Sequence, residues 1–116
     1  MEFKVQKLTT NQLKDRLNRD RPYMLVDVRE REAFMKGHIP GASYMFDGEV
    51  LPMVKKMDKG TDIIVYGPEN CSINTICSDA VEKFMSLGSK YVYTYEDGLK
   101  GWADSGNRVD RSDHNN

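Results

Sequence analysis

The residues of this sequence best suited to covalent chemistry are its two cysteines, Cys71 and Cys77. A thiolate acts as a nucleophile or sulfur carrier when its pKa is lowered. The start of a helix lowers it, because unpaired backbone N–H groups and the helix dipole favour negative charge there. Cys71 stands after Ile63-Ile64-Val65-Tyr66, a β-branched run suited to a strand buried on both faces, and after Gly67-Pro68, which ends that run. Beyond it, apolar residues recur at Ile73, Ile76, Cys77, Ala80, Val81 and Phe84, the pattern of an amphipathic helix, with Gly88 placed to cap its end. A strand, a tight loop and a helix start would stabilise an anion or thiolate between Gly67 and Ser72. The candidate catalytic residue is therefore Cys71, and its loop is Gly67, Pro68, Glu69, Asn70 and Ser72.

The periodicity starts this helix near Cys71 or Ser72, with Asn70 or Ser72 as its N-cap. Six positions at about 100° each would put the two cysteines on different helix faces, so no mutual disulfide is expected. Both are expected as free thiols of a soluble cytoplasmic protein. In a first helical turn Cys71 would feel the dipole, while the like charge of Glu69 would oppose a thiolate. Cys77 lies on the apolar stripe and reads as a small core residue. Asp27 and Arg29, at the end of another apolar strand, could flank the site or hydrogen-bond the loops around it. His38 stands beside a Pro40-Gly41 turn and reads as a hydrogen-bonding fixture. There is no C-x-x-C spacing, so no metal site is expected.

The elements that must position these residues alternate along the chain. Short strands are expected at residues 3–8, 23–28, 43–46, 63–66 and 91–95. Helices are expected from Thr10, which can cap the first of them, to about Asn18, over 30–36 with Phe34 inward, over 47–57 with Val50, Met53, Val54 and Met57 inward, through the central stripe, and over 99–104 around Trp102. Strands alternating with helices at these lengths imply an α/β fold with a parallel sheet covered on both faces. At 116 residues the chain is one domain, residues 1–106, followed by a polar tail over 107–116 expected to be disordered. The 17 Lys and Arg against 18 Asp and Glu give no basic surface for nucleic acid. No stretch approaches a membrane span or a signal peptide's apolar core.

Asp27-Val28-Arg29-Glu30 followed by Gly37-His38-Ile39-Pro40-Gly41-Ala42 resembles the hallmark D-V-R-E…G-H-I-P-G-A of rhodanese-like domains. The apolar strand before the loop and Gly98…Trp102…Gly106 are similar as well, although Asp97 stands where the family often has a glycine. The resemblance extends from Leu8 to Gly106. It implies a three-layer α/β/α fold with a five-stranded parallel sheet of order 1-5-4-2-3. It also implies sulfane-sulfur transfer: a loop cysteine takes sulfur from a donor such as thiosulfate, holds it as a persulfide and passes it to an acceptor thiol. No cofactor is implied. The partners would be a small sulfur donor or acceptor thiol, or a protein.

The chain departs from that pattern at one place. The family's cysteine usually follows the strand directly, and here that position is Gly67. Counted back from Gly88, Cys71 falls at the usual distance. Two readings stand: a sulfurtransferase working through Cys71, weak because no amide cradle surrounds it, or a non-catalytic module binding a protein partner or small anion at the same loop. A phosphatase of this fold needs Cys-x5-Arg, and six residues after Cys71 stands Cys77, which excludes it.

Overall fold

The computed structural model describes residues 5–68, 70–71 and 75–112. Ten elements follow one another: β1 (Val5–Leu8), α1 (Thr10–Asn18), β2 (Tyr23–Asp27), α2 (Arg31–Lys36), β3 (Ser43–Tyr44), α3 (Val50–Lys56), β4 (Asp62–Tyr66), α4 (Thr75–Ser86), β5 (Tyr91–Tyr95) and α5 (Gly98–Asp104). The five strands are parallel in the order β1-β5-β4-β2-β3, as the resemblance implied. Asp27, Tyr66 and Tyr95 pair in one register row, so β2, β4 and β5 end together. The residues that leave those ends, Val28, Gly67 and Glu96, therefore meet at one edge of the sheet. In open α/β sheets that edge is where ligands bind.

Alternation along the strands divides the core in two. Met24, Val26, Ile63, Val65 and Val92 face α3 and α4, burying Val50, Val54, Cys77, Ala80, Val81 and Phe84. Leu25, Ile64, Tyr66, Tyr93 and Tyr95 face the other way, onto Leu13 of α1 and Trp102 of α5. Each aliphatic side chain so buried contributes about 1.5–3 kcal/mol. Burial on both faces is why β4 reads as an unbroken apolar run after Asp62. Gly88 ends α4 with φ 94°, while Ser89 N–H reaches back to the Phe84 carbonyl at 3.2 Å.

Several expectations change. Thr9 rather than Thr10 is the N-cap of α1, forming a reciprocal capping box with Gln12. Met53 and Ile76 are each 46% exposed, not inward. The buried stripe of α4 is Cys77, Ala80, Val81 and Phe84, and Ile76 stands about 100° round the helix from Cys77. Ile73 lies outside the described residues. Of the polar tail expected from Asn107, residues 107–112 lie among the described residues and make specific contacts. Trp102 Nε1 donates to the Arg108 carbonyl at 2.7 Å, Val109 packs against the second core, and His38 and Asp110 exchange two backbone hydrogen bonds at 2.9 Å. A single apolar residue and a buried indole donor are enough to seat that segment. Among the described residues no helix is long and apolar enough to cross a membrane.

Candidate functional site

Gly67 directly follows β4 and is buried, as its succession to the apolar run implied. Its backbone packs against Val28 and both cysteines. A Cβ there would stand 2.8 Å from Val28 Cγ2, 3.1 Å from Cys77 Sγ and 3.8 Å from Cys71 Sγ. Gly98, at φ 65°, presses against the Gly67 carbonyl, where its own Cβ would lie 3.1 Å away. Two glycines thus let the β4 end, the β5–α5 turn and two sulfur atoms converge.

Those sulfur atoms are bonded to each other. Cys71 and Cys77 form a disulfide with Cα atoms 5.5 Å apart, and neither residue is exposed. This corrects the expectation of two free thiols on separate helix faces. Six residues of α-helix advance about 9 Å along the axis, so Cys71 cannot stand one and two-thirds turns before Cys77 on one continuous helix. Cys71 therefore lies off the course of α4 rather than in its first turn. Cys77 is buried as expected, but as half of a disulfide rather than as an inert thiol. Ser72 and Glu69, the remaining loop candidates, lie outside the described residues.

The loop also lacks the donors of an amide cradle at two described positions. Pro68 has no N–H, and Asn70 donates its own to the Glu96 carbonyl at 3.2 Å. Asn70 sits at φ 62°, a left-handed conformation that asparagine tolerates better than most side chains.

Asp27 and Arg29 are joined to each other. The fully buried Asp27 carboxylate accepts from Arg29 Nε at 3.1 Å, from Nη2 at 2.7 Å and from the Arg29 backbone N–H at 2.9 Å. Arg29 Nη2 also donates to the Gly37 carbonyl. Burial pulls the guanidinium pKa down, but the Asp27 hydrogen bonds and charge outweigh it and hold the group above its ordinary value. This fork ties the end of β2 to the turn after α2. His38 stacks on Phe34 at 4.0 Å and bonds its carbonyl through Nδ1 at 2.8 Å. In that turn the Ile39 N–H donates to the buried Tyr66 hydroxyl at 3.0 Å. Burial foremost, and the Asp27 charge next, push the Tyr66 phenol far above its usual pKa. The motif shared with rhodanese-like domains is thus a scaffold that fixes the loops around the strand ends.

Two openings lie near the strand ends, one of them lined by the disulfide. One is a cleft lined by Val28, Arg29, Tyr44, Phe46, Pro68 and Ile76 at the strand ends. The other is a groove of about 390 Å³ between α4 and the β1 edge, lined by both cysteines, Val5, Lys7, Val81 and Thr94 among others. Neither Thr94 nor the disulfide stood out as a site feature in the sequence. The signal that could have found the disulfide is the glycine at the strand end, which leaves room for sulfur supplied from elsewhere.

Comparison with known proteins agrees with this architecture. Residues 9–105 match the family model of the rhodanese-like domain. The Alr3790 protein from Anabaena is similar in structure, with 28% identity, a TM-score of 0.72, and 92% of this chain and 94% of that one covered. The BH2092 protein from Bacillus halodurans has 23% identity and a TM-score of 0.75, covering 93% of this chain and 78% of that one. A thiosulfate sulfurtransferase from Pseudomonas aeruginosa shares the fold at 16% identity and a TM-score of 0.75, covering 96% of this chain and 20% of that chain. With sheet order, strand-end motif and sequence match in agreement, the chain belongs to the rhodanese-like family.

Proposed function

We propose that this chain is a rhodanese-like module that does not transfer sulfane sulfur while Cys71 and Cys77 are joined, and that any such activity is weak and confined to the reduced protein. The observation that carries the reading is the pairing of Gly67 at the end of β4 with a buried Cys71–Cys77 disulfide in the space a residue-67 side chain would need. A disulfide sulfur has no thiolate to attack thiosulfate. Once reduced, Cys71 is the candidate carrier, with a small sulfur donor and an acceptor thiol as partners. Pro68 and the occupied Asn70 N–H leave it short of the donors that would hold a charged terminal sulfur.

The second reading, a non-catalytic module that binds a protein partner or small anion, is favoured by the apolar cleft at Phe46, Pro68 and Ile76. The two readings separate in one experiment. The full chain, oxidised or reduced and freed of reductant, is incubated with thiosulfate, its mass measured, and cyanide then added to follow thiocyanate. The proposal expects no sulfur adduct on the oxidised protein and slow thiocyanate formation from the reduced protein, abolished by Cys71→Ser. Turnover by the oxidised protein overturns it. No adduct on either form leaves the binding reading alone.

A further inference from the structure

The cysteine pair is an unusual structural crosslink. It closes a loop of six sequence positions, and crosslinks across short loops constrain the unfolded chain least. It joins a helix to the turn immediately before it rather than two distant parts of the fold. In a protein read from its composition as cytoplasmic, disulfides are more often transient and reactive than structural.

A second, independent observation lies beside it. The Thr94 hydroxyl is 3% exposed at the residue level and has no hydrogen-bond partner among the described residues. Burying a hydroxyl without a partner costs free energy, so the site is built for a group not supplied by the described chain. Thr94 lines the groove that both cysteines line. The register explains why the groove exists. Lys7 pairs with Thr94 and Val5 with Val92, so these residues floor the same sheet face, where α4 packs over β5 and β4. Val5 is 38% exposed, and β1 is the edge strand of the sheet. An edge strand offers backbone donors and acceptors to an extended polypeptide.

We propose that the Cys71–Cys77 disulfide, with the unpartnered Thr94 hydroxyl in the groove between α4 and β1, is a thiol–disulfide exchange site whose reaction partner is a cysteine-bearing peptide segment. The partner's thiolate attacks Cys71 Sγ. The Cys71–Cys77 bond breaks, its electron pair leaving on Cys77 Sγ, while a partner–Cys71 disulfide forms. A second partner thiol attacks the partner sulfur of that bond and releases the Cys71 thiolate. The partner is oxidised to a disulfide, and the two electrons and two protons it loses end on Cys71 and Cys77. The direction of attack follows from position. Cys77 is the third residue of α4, where the helix dipole stabilises a departing thiolate, whereas Cys71 lies outside that helix and lacks this stabilisation as a leaving group. The Thr94 hydroxyl hydrogen-bonds the incoming peptide.

The probe is glutathione, itself a cysteine-bearing peptide, so success or failure is independent of sulfane-sulfur chemistry. The oxidised full chain is exposed to reduced glutathione without denaturant, quenched by alkylation and weighed. Expected are reduction faster than global unfolding allows and, when the single variants are treated with oxidised glutathione so that each free thiolate displaces a glutathione thiolate, an adduct on Cys71 of Cys77→Ser that forms more readily than one on Cys77 of Cys71→Ser. Thr94→Val, which keeps the side-chain shape, should slow wild-type reduction roughly fivefold, the loss of about one hydrogen bond. Should either cysteine variant fail to fold, the Thr94→Val rate and the denaturant dependence of wild-type reduction decide. Reduction whose rate tracks unfolding in urea, equal labelling of the two cysteines, or a rate untouched by Thr94→Val overturns the proposal.

Discussion

Cys77 Sγ lies 3.1 Å from the point where a Cβ on Gly67 would stand. The end of β4, where relatives of this fold were expected to carry a thiol, is thus in contact with sulfur delivered from α4. The disulfide leaves no room for a larger residue at 67 in the same packing.

Gly67→Ala tests that packing. Its methyl would lie 2.8 Å from Val28 Cγ2 and 3.1 Å from Cys77 Sγ, and both neighbours are fully buried and cannot easily move away. Overpacking of this kind costs about 1–3 kcal/mol. A urea titration should show a lower midpoint with an unchanged slope. Wild-type stability in Gly67→Ala would mean that the β4 end has slack.

Reduction of the disulfide should destabilise the fold only moderately. For a loop of six sequence positions the chain-entropy view gives about 2 kcal/mol. Urea unfolding with and without dithiothreitol measures it directly. The double variant Cys71→Ser, Cys77→Ser should unfold close to the reduced protein and be insensitive to the reductant.

Arg29→Leu should be more damaging than either. It would leave the Asp27 carboxylate, which has no exposed surface, without its bidentate partner, and it would free the Gly37 carbonyl. Breaking a buried pair from one side costs about 3–5 kcal/mol. Arg29→Lys should recover only part of this, because an ammonium cannot reproduce the fork. Chemical denaturation of the three proteins gives the order: wild type, Arg29→Lys, Arg29→Leu.

Tyr66 should set an alkaline limit to stability. Burial and the Asp27 charge raise its folded pKa well above the ordinary 10.0. Below pH 10 both folded and unfolded chains keep the phenol proton, and this group adds no pH dependence. Above it the unfolded chain releases the proton and the folded one holds it. Stability therefore falls by about 1.4 kcal/mol per pH unit through this one group. Tyr66→Phe should remove that part of the slope. At neutral pH it should itself cost about 1–3 kcal/mol, because the buried Ile39 N–H loses its acceptor. Urea titrations across the alkaline range compare the two.

The sheet and the helices that cover it were legible in the order of residues alone. The run at Ile63–Tyr66 is apolar on both faces because helices cover both sides of β4, so period and composition named a buried parallel strand correctly. Asp27-Val28-Arg29 and the Pro40-Gly41 turn carried the family, and Gly67 fell at the strand end, because contiguous residues encode local geometry. The fate of Cys71 and Cys77 was not local. Helical periodicity, extended backward from α4, separated them, whereas in the fold Asn70 adopts a left-handed conformation, bonds the Glu96 carbonyl just beyond β5, and the two cysteine Cα atoms stand 5.5 Å apart. Thr94 looked like one more strand residue until β1 paired with β5 and left its hydroxyl without a partner among the described residues, in a groove. Val109 likewise looked like an isolated apolar residue in a polar tail until the surface around Leu99 and Gly37 gave it something to cover. Each of these outcomes depends on which strands are neighbours, and that is settled by the summed burial of the whole chain rather than by the residues concerned.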